Sequence, residues 1–414
     1  MIPFNKIKMW ENVMAGWKQC AFGLLFGMAL TAPAGAADDT IRIGILNDQT
    51  GPFADFAGPG SVVAAKLAIE DVGGKVNGKP VELLVADHQN KADVGSNIAR
   101  NWFASGIDAI ADVPNSSVAL AVNFIAKEQN RVFLATTGVT TRLTGDACSP
   151  TTVQWAIDTW AMANGVAQGM ADQGGKSWYF ITADYAFGIE MEKQVAEFVK
   201  AAGGSVAGSA RHPINTADFS SFLLGAQGSG AKVLGLATSG ADMVNLVKQA
   251  REFRIAESMK IASLALYITD VHALGLELAQ GLYLTSAFYW DLNDRTRNFA
   301  KRFSDKFNGK KPSVFQAAVY SATLHYLKAL QAGAPAKDGA AVVAKMKSMP
   351  TNDDAFGEGF IRQDGRKIHP MYAFQIKSPG ESKGPWDYYK LVGTIPADKA
   401  WRPISSECEF ARKS

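Results

Sequence analysis

The sequence has few of the side chains that most catalytic and metal sites need. Its 414 residues include three cysteines and five histidines, and the histidines lack metal-ligand spacing. "GPGSVV" lacks the third glycine of a dinucleotide motif, and "GMADQGGKS" misses the P-loop spacing and precedes a predicted strand. These absences argue against a nucleotide site and leave an exported hydrolase as the enzyme-class alternative.

An excess of charge of either sign is also lacking. Residues 1–36 carry three lysines and one glutamate, so the remaining chain has 39 basic and 38 acidic side chains, a net charge of +1. Nothing in this balance favours nucleic acid as a partner. With 47% hydrophobic and 20% charged residues, the composition is that of a folded chain and not of a disordered one. We expect no cofactor.

Long hydrophobic runs are absent except near the N-terminus. Lys6, Lys8 and Lys18 precede "CAFGLLFGMAL", which leads into "TAPAGA". This pattern is typical of a cleavable secretory signal, with cleavage predicted after Ala36 and a periplasmic location for the product. A membrane anchor is the alternative, but the run is shorter than the roughly 20 residues that span a bilayer. We therefore expect no stable membrane insertion after cleavage, and Met14 is a more typical start than Met1.

Two cysteines, Cys148 and Cys408, remain after the predicted cleavage. An even count in an exported chain predicts one disulfide bond. The alternative is two buried free thiols. Catalysis by a cysteine is disfavoured, because no histidine lies near either residue in sequence and an oxidising compartment disfavours a free nucleophile.

From residue 41 onward, short runs of β-branched residues alternate with amphipathic segments. This alternation predicts strand-helix-strand units and a parallel sheet covered on both faces. The same alternation begins again after a Thr-, Gly- and Pro-rich stretch at residues 136–152, which indicates a second sheet. Helices are predicted near residues 59–72, 91–104, 159–173, 293–307, 314–330 and 339–348. The predicted fold class is α/β, with two doubly wound parallel-sheet lobes joined by a multi-crossing hinge.

The segment after residue 290 must pack against one of the two lobes, and its return to the first lobe would make the connection multiple. The predicted domains are a signal peptide at 1–36, an N-terminal lobe formed by 39–157 and 289–360, and a C-terminal lobe formed by 158–288 and 361–414.

The loops that follow the predicted strands combine hydroxyl groups with aromatic rings. Ligands of open parallel sheets bind beyond the carboxyl ends of the strands. Small-molecule clefts typically carry this mixture of side chains. The loops are residues 47–58, 113–119, 135–141, 182–188, 237–242, 264–270 and 287–293.

Several segments carry a family resemblance: "IRIGILNDQTGPFADFAG", "GKPVELLVADHQNKAD", "TADYAFGIEME" and "GLYLTSAFYWD". With the signal peptide, they resemble the extracytoplasmic solute-binding proteins of the branched-chain amino acid (Leu/Ile/Val-binding) type, which deliver ligands to ABC transporters. The resemblance covers residues 40–400. It implies a type I periplasmic binding fold, in which two lobes joined by three crossings close on the ligand like a hinged clamp. It also implies transporter permease subunits as partners.

The resemblance implies two polar loops in the first lobe. The "PNSS" loop corresponds to the family segment that holds a ligand carboxylate, helped by backbone N–H groups of the next helix. N-capping by Ser116 is an alternative role there, and turn chemistry around Gly138 is the alternative for the second loop. The implied ligand-binding residues of this lobe are Asn115, Ser116, Ser117, Thr136, Thr137 and Thr140.

In the second lobe, the resemblance implies an aromatic wall and one acid. Asp270 lies where amino-acid binders place a carboxylate against the ligand ammonium, or alternatively it caps a helix starting at Val271. Core packing is the alternative for the aromatic residues at the lobe crossing. The implied ligand-binding residues of this lobe and of the crossing are Tyr185, Phe187, Thr238, Ser239, Tyr267, Asp270, Phe288 and Tyr289.

Phe53 and Phe56 stand on a loop that should face water. We expect them to be an apolar surface of the first lobe that is covered when the lobes close, with Phe53 contacting the ligand. Because the cleft is rich in aromatic residues and has one candidate acid, we predict a small carboxylate ligand with an apolar body. A branched-chain amino acid, an aromatic amino acid and an aromatic acid all fit this description.

The alternative function is a sensory ligand-binding module that signals to a membrane receptor. A cytoplasmic ligand-responsive regulator is disfavoured by the signal peptide and by the lack of a helix-turn-helix segment.

Overall fold

The computed structural model describes residues 40–171 and 175–411. The predicted signal peptide and its cleavage site lie outside these residues. The strands are β1 (Ile41–Asn47), β2 (Lys75–Val76), β3 (Lys79–Asp87), β4 (Ala109–Asp112), β5 (Val132–Ala135), β6 (Thr152–Gln154), β7 (Ser177–Ala183), β8 (Ser205–His212), β9 (Val233–Ala237), β10 (Lys260–Ser263), β11 (Tyr283–Ser286), β12 (Thr351–Asp353), β13 (Gly357–Ile361), β14 (Lys367–Ile368), β15 (Met371–Ile376) and β16 (Tyr389–Ile395).

Most of the helices lie between successive strands of the two large sheets. They are α1 (Gly58–Asp71), α2 (Ala92–Ala104), α3 (Ser116–Glu128), α4 (Thr159–Ala171), α5 (Ala186–Ala201), α6 (Ser220–Gly228), α7 (Ala241–Glu252), α8 (Ile268–Leu274), α9 (Leu276–Ala279), α10 (Asp294–Lys306), α11 (Val314–Gln331) and α12 (Gly339–Ser348).

The first sheet has six strands in the order β2-β3-β1-β4-β5-β6. All neighbours are parallel except the short β2, which pairs antiparallel with β3. Ile43 and Ile45 of the central strand β1 are fully buried, as are all four residues of β4. Burial on both faces explains why these strands read as continuous apolar runs and not as alternating ones.

The second sheet has the order β10-β9-β7-β8, and all of its pairs are parallel. Every residue of its central strand β9 is buried. Two parallel sheets with helices between their strands confirm the predicted α/β fold class.

The chain passes between the two sheets more than once. After β11, helices α10 and α11 return to the first sheet, where both pack against α1. The chain then runs through β12, β13 and β14 to β15, which pairs with β11 beside the second sheet. This path crosses between the sheets near residues 158, 290 and 369, and the return of the C-terminal residues adds a further passage. The exact boundaries of the two lobes stay a prediction.

The C-terminal residues return to the first sheet. Arg402 donates to the backbone oxygen of Thr141, and Lys127 of α3 forms an ion pair with Glu409. Cys148 and Cys408 are joined by a disulfide bond across 260 residues, which confirms the predicted bridge.

We expect loss of this bridge to lower stability, because it constrains a long loop of the unfolded chain. The Cys148→Ser/Cys408→Ser variant should lose about 2–5 kcal/mol in its free energy of unfolding, measured by urea titration. A reductant should lower the free energy of unfolding of the wild type by a similar amount and leave that of the double variant unchanged. An equal effect of reductant on both proteins would contradict the prediction.

The third crossing buries a lysine. Lys367 is fully buried, and its Nζ has no hydrogen-bond partner among the described residues. The ammonium lies 5.3 Å from the ring centroid of Trp155 and 5.0 Å from that of Phe356. Burial lowers the pKa of Lys367 to about 8, although Asp353 acts in the opposite direction.

This lowered pKa predicts a pH-dependent penalty. Below pH 8 both the folded and unfolded states hold the proton, and folding bears the cost of a buried charge. Between pH 8 and about 10.5 the unfolded state binds more protons, so this group makes the free energy of unfolding rise with pH. Lys367→Met should therefore be more stable than the wild type by about 1–3 kcal/mol below pH 8.

The gain from Lys367→Met should shrink as the pH approaches 10.5, as measured by urea titrations across the range. Lys66→Met, at an exposed position, is the control and should show no such trend. A gain that does not change with pH would contradict the assignment.

Candidate functional site

The loops at the carboxyl ends of the two large sheets contact each other directly. The hydroxyl of Ser117, after β4, accepts from the N–H of Ala186 at 3.4 Å. The backbone oxygen of Pro52, after β1, accepts from the N–H of Ala241 at 3.0 Å. These loops and the helices that follow them therefore form the two facing walls of the cleft between the lobes, and the walls touch in this structure.

Phe53 and Phe56 lie inside this interface. Their exposed fractions are only 2% and 3%. The ring of Phe53 is 6.2 Å from that of Tyr185, and the ring of Phe56 is 5.1 Å from that of Tyr267 and 5.3 Å from that of Phe315. The two phenylalanines of a surface-like loop are thus covered by second-lobe tyrosines and by helix α11.

Asp48 holds this loop in place. One carboxylate oxygen accepts from the N–H of Gly51 at 2.7 Å. The other accepts from the N–H of Phe53 at 2.9 Å and from the side-chain amide of Asn90 at 2.7 Å. A single buried acid therefore turns the loop so that its rings point into the interface.

The "PNSS" loop begins helix α3. The side chain of Asn115 accepts from the N–H groups of Ser117 and Val118 at 2.9 and 3.2 Å, which makes Asn115 the N-cap. The alternative in which Ser116 caps the helix is therefore wrong. Ser116 is the first helical residue, and its buried Oγ has no hydrogen-bond partner among the described residues.

Thr136 and Thr137 lie beside a buried acid, Asp112, at the end of β4. The hydroxyl of Thr137 donates to Asp112, and the side-chain amide of Asn47 donates to its other oxygen at 2.8 Å. The hydroxyl of Thr136 is 3.5 Å from that of Thr137. Burial raises the pKa of Asp112, and the hydrogen bonds act against that rise.

The backbone is strained at the same place. Asp112 and Val113 have φ of 83° and 63°. A β-branched residue rarely adopts such an angle, and strain of this kind persists where the surroundings fix the backbone. The Asp112 hydrogen bonds supply that restraint and aim the following Asn115 loop at the cleft.

The second lobe contributes Tyr185 and Phe187 at the start of α5. Their ring centroids are 5.8 Å apart, and burial raises the pKa of Tyr185 while a hydrogen bond with the Ser239 side chain lowers it. Thr238 precedes Ser239, and its buried Oγ1 has no partner among the described residues. These side chains form the wall that faces Ser117 and Phe53.

Asp270 is used in capping. Its carboxylate accepts from the N–H of Tyr267 at 2.9 Å. Helix α8 begins at Ile268, so the alternative of a helix starting at Val271 is wrong in position. Burial and the nearby charge of Asp55 raise the pKa of Asp270 well above its usual value. Its carboxyl group is therefore biased toward the neutral form.

Phe288 and Tyr289 lie at the second crossing. Phe288 contacts the rings of Phe299 and Phe356, with centroids 6.0 and 6.3 Å away. Tyr289 stacks on Tyr389 at 4.9 Å. Both rings pack against hinge elements, as the core-packing alternative described.

Thr140 directs its hydroxyl to a residue that the sequence did not single out, Glu190 of α5. The N–H of the next residue, Thr141, donates to the same carboxylate at 2.8 Å. The available signal was an acid one helical turn beyond Tyr185 and Phe187. The other unanticipated residues are Asn47 and Asp112, both at the carboxyl ends of buried strands.

The part of the chain that the structure describes contains no group of three or more His, Cys, Asp or Glu side chains arranged to hold a metal ion. Within those same residues, no helix combines the length and the apolar character needed to cross a bilayer.

A family model described as "Periplasmic binding protein" matches residues 40–384. The chain therefore belongs to the periplasmic binding protein family. Members of this family bind substrates and do not transform them, so the chain is an extracytoplasmic binding protein of the ABC-transporter type and not an enzyme. The resemblance found in the sequence is confirmed.

Three similar proteins support this assignment. A periplasmic binding protein from Burkholderia mallei is 46% identical, with a TM-score of 0.87 over 90% of this chain and all of that one. A branched chain amino acid ABC transporter periplasmic ligand-binding protein from Burkholderia xenovorans is 39% identical, with a TM-score of 0.77 over 89% and 100%. The Leu/Ile/Val-binding protein homolog 4 of Brucella abortus is 22% identical over 93% of this chain and 96% of its own length.

The free and the bonded hydroxyls of the first-lobe loops should respond differently to mutation. Ser116→Ala removes a buried hydroxyl that has no partner in the described part of the chain, so the free energy of unfolding should stay the same or rise. Thr137→Val leaves Asp112 with one donor fewer. The free energy of unfolding should therefore fall by about 1–3 kcal/mol. Urea titrations of the ligand-free protein measure both, and a larger loss in Ser116→Ala than in Thr137→Val would refute the arrangement.

Proposed function

We propose that this protein is the substrate-binding component of an ABC importer and that its ligand is a small carboxylate with an apolar body. The observation that carries the proposal is a pair of buried hydroxyls on opposite lobes, Ser116 Oγ and Thr238 Oγ1, which find no partner within residues 40–171 and 175–411. Their sequence neighbours, Ser117 and Ser239, both contact the Tyr185–Ala186 segment. A ligand oxygen between the lobes would satisfy hydroxyls that are otherwise costly to bury.

The helices around the cleft favour an anion there. Helices α3, α5 and α7 all begin at loops that meet across the lobes. A helix N-terminus carries partial positive charge and free N–H groups, which attract carboxylates. The Ser116 hydroxyl stands at the first turn of α3 and is the natural partner for such a group.

The aromatic cluster accounts for the apolar body. Phe53, Phe56, Tyr185 and Tyr267 are packed at ring distances of 5.1 to 6.2 Å. Aromatic side chains prefer offset or edge contacts at such distances, and each such contact adds about 0.5–1.5 kcal/mol beyond the area it buries. A flat or branched apolar group would extend this cluster.

Asp270 bears on whether the ligand carries an amine. Its carboxylate already accepts from the N–H of Tyr267, and its pKa is raised. This environment favours an aromatic acid without an ammonium group. A branched-chain or aromatic amino acid is the competing ligand, because its ammonium would pair with Asp270 and restore the ionised form.

Proteins with the same fold bind both kinds of ligand. A Rhodopseudomonas palustris solute binding protein, 17% identical, is in complex with benzoate, and a Brucella ovis protein, 20% identical, is named for leucine, isoleucine, valine, threonine and alanine. At these identities the likeness concerns the fold alone. The fold itself is therefore compatible with either class of ligand.

Transport would follow from closure. A ligand that bridges the lobes stabilises the closed form, which permease subunits then recognise. Export to the periplasm would remove the signal peptide after Ala36. The related proteins named as transporter components support this role over the sensory module.

The test is thermal unfolding of the exported protein after unfolding and refolding have removed any bound ligand. Benzoate, 4-hydroxybenzoate and phenylacetate are compared with leucine, isoleucine, valine and phenylalanine. A ligand at 100 times its dissociation constant should add about 2.7 kcal/mol of stability. We expect the amine-free acids to raise the unfolding temperature, and no shift with any compound would reject the proposed ligand class.

Asp270→Asn provides the matched variant, because an amide oxygen can still accept from the N–H of Tyr267. Binding of the amine-free acids should be unchanged in this variant. A wild type stabilised by amino acids alone, with that effect lost in Asp270→Asn, would instead assign Asp270 to a ligand ammonium.

A further inference from the structure

Glu190 of α5 is bound across the cleft by two first-lobe threonines. Its carboxylate accepts from the N–H of Thr141 at 2.8 Å and is also contacted by the hydroxyls of Thr140 and Thr141. Two second-lobe groups complete its surroundings, the hydroxyl of Thr159 at 3.0 Å and the side-chain amide of Gln194 at 3.1 Å. Donors from both lobes therefore converge on one acid.

The other direct contacts between these loops are weaker in kind. Ala186 and Ala241 each donate one backbone N–H to a neutral oxygen, at 3.4 and 3.0 Å. Hydrogen bonds to a carboxylate are charge-assisted and roughly twice as strong as bonds between neutral groups. Glu190 is thus the strongest polar link that we identify between the two walls of the cleft.

The hydrogen bonds between Glu190 and the first lobe can be made and broken as the lobes close and open. Thr159 begins α4, which packs against α5, and Gln194 lies one turn beyond Glu190 on the same helix. Gln194 shares α5 with Glu190 and moves with it when the lobes separate, so the carboxylate keeps that donor. The bonds from Thr140 and Thr141 are exchanged for water, and so is the bond that Gln194 donates to the Thr141 hydroxyl at 3.0 Å. Opening then leaves the half-buried Glu190 carboxylate with a donor from its own helix.

The same carboxylate positions the aromatic wall. Phe187, Glu190 and Gln194 are spaced three and four residues apart, so they share one face of α5. Tyr185 immediately precedes this helix. Fixing Glu190 to Thr140 and Thr141 therefore fixes the distance between Tyr185 and the first-lobe loop that carries Ser117.

We propose that Glu190 is a positioning residue that holds the lobes together with or without ligand and so sets the rate at which ligand escapes. The first half of this statement concerns the protein alone, and the second rests on the proposed function. Thr140 then serves the closure of the cleft and not the ligand itself.

Glu190→Gln tests the first half, because it keeps the size of the side chain but removes its charge and replaces one of its two acceptor oxygens by an NH2 donor. Small-angle X-ray scattering of the ligand-free exported protein measures the radius of gyration. We expect a larger radius in Glu190→Gln than in the wild type, and a smaller increase of the same sign in Thr141→Val, which loses one donor but keeps its N–H.

Glu192→Gln is the matched control. Glu192 lies two residues further along α5 and accepts from the hydroxyl of Thr182 at 2.6 Å, within the second lobe. The radius of gyration of the Glu192→Gln protein should equal that of the wild type. An unchanged radius in Glu190→Gln, or an equal expansion in Glu192→Gln, would overturn the proposal.

The second half is tested by stopped-flow release of 4-hydroxybenzoate as the probe. Release must break the Thr140 and Thr141 bonds, so it should be about tenfold faster in Glu190→Gln and unchanged in Glu192→Gln. An equal release rate in all three proteins would overturn the role of Glu190 in ligand escape. If none of them binds the probe, 4-hydroxybenzoate is excluded as a ligand, and the scattering still decides whether Glu190 holds the lobes.

Discussion

The burial of aromatic rings between two separately formed sheets constrains the rest of this structure. Phe53 and Phe56 belong to a loop after β1, yet they are as buried as core residues because second-lobe tyrosines and α11 cover them. Neither lobe alone provides that cover. The polar groups around the rings must therefore be arranged so that both lobes approach without leaving charges unpaired.

Three acids, two of them buried, meet this requirement in different ways. Asp48 shapes the loop that carries the rings, and Asp112 restrains the strained backbone before the Asn115 loop. Glu190 receives donors from both lobes. The first two acids act within one lobe and are independent of closure, whereas the third depends on it. This division keeps the shape of each wall fixed while the distance between the walls can vary.

The architecture was predictable because periodicity and burial are local properties of the chain. The helix predicted at 314–330 is Val314–Gln331, and that predicted at 339–348 is Gly339–Ser348. Side-chain roles were less accessible. A sequence shows that Asp112 ends a strand but not that Asn47 and Thr137 converge on it, since these residues are up to 90 positions apart. Likewise, adjacent Asn115 and Ser116 are both good N-caps, and only the backbone decides between them.

The disulfide bond has a consequence for the order of events during export. Cys148 precedes Cys408 by 260 residues, so a chain that crosses a membrane N-terminus first delivers the first cysteine long before its partner. By the time Cys408 arrives, the strands and helices of both sheets have all been translocated. Oxidation can then form the Cys148–Cys408 bond only in a nearly complete molecule, and any earlier bond made by Cys148 would have to involve another thiol and be reversed.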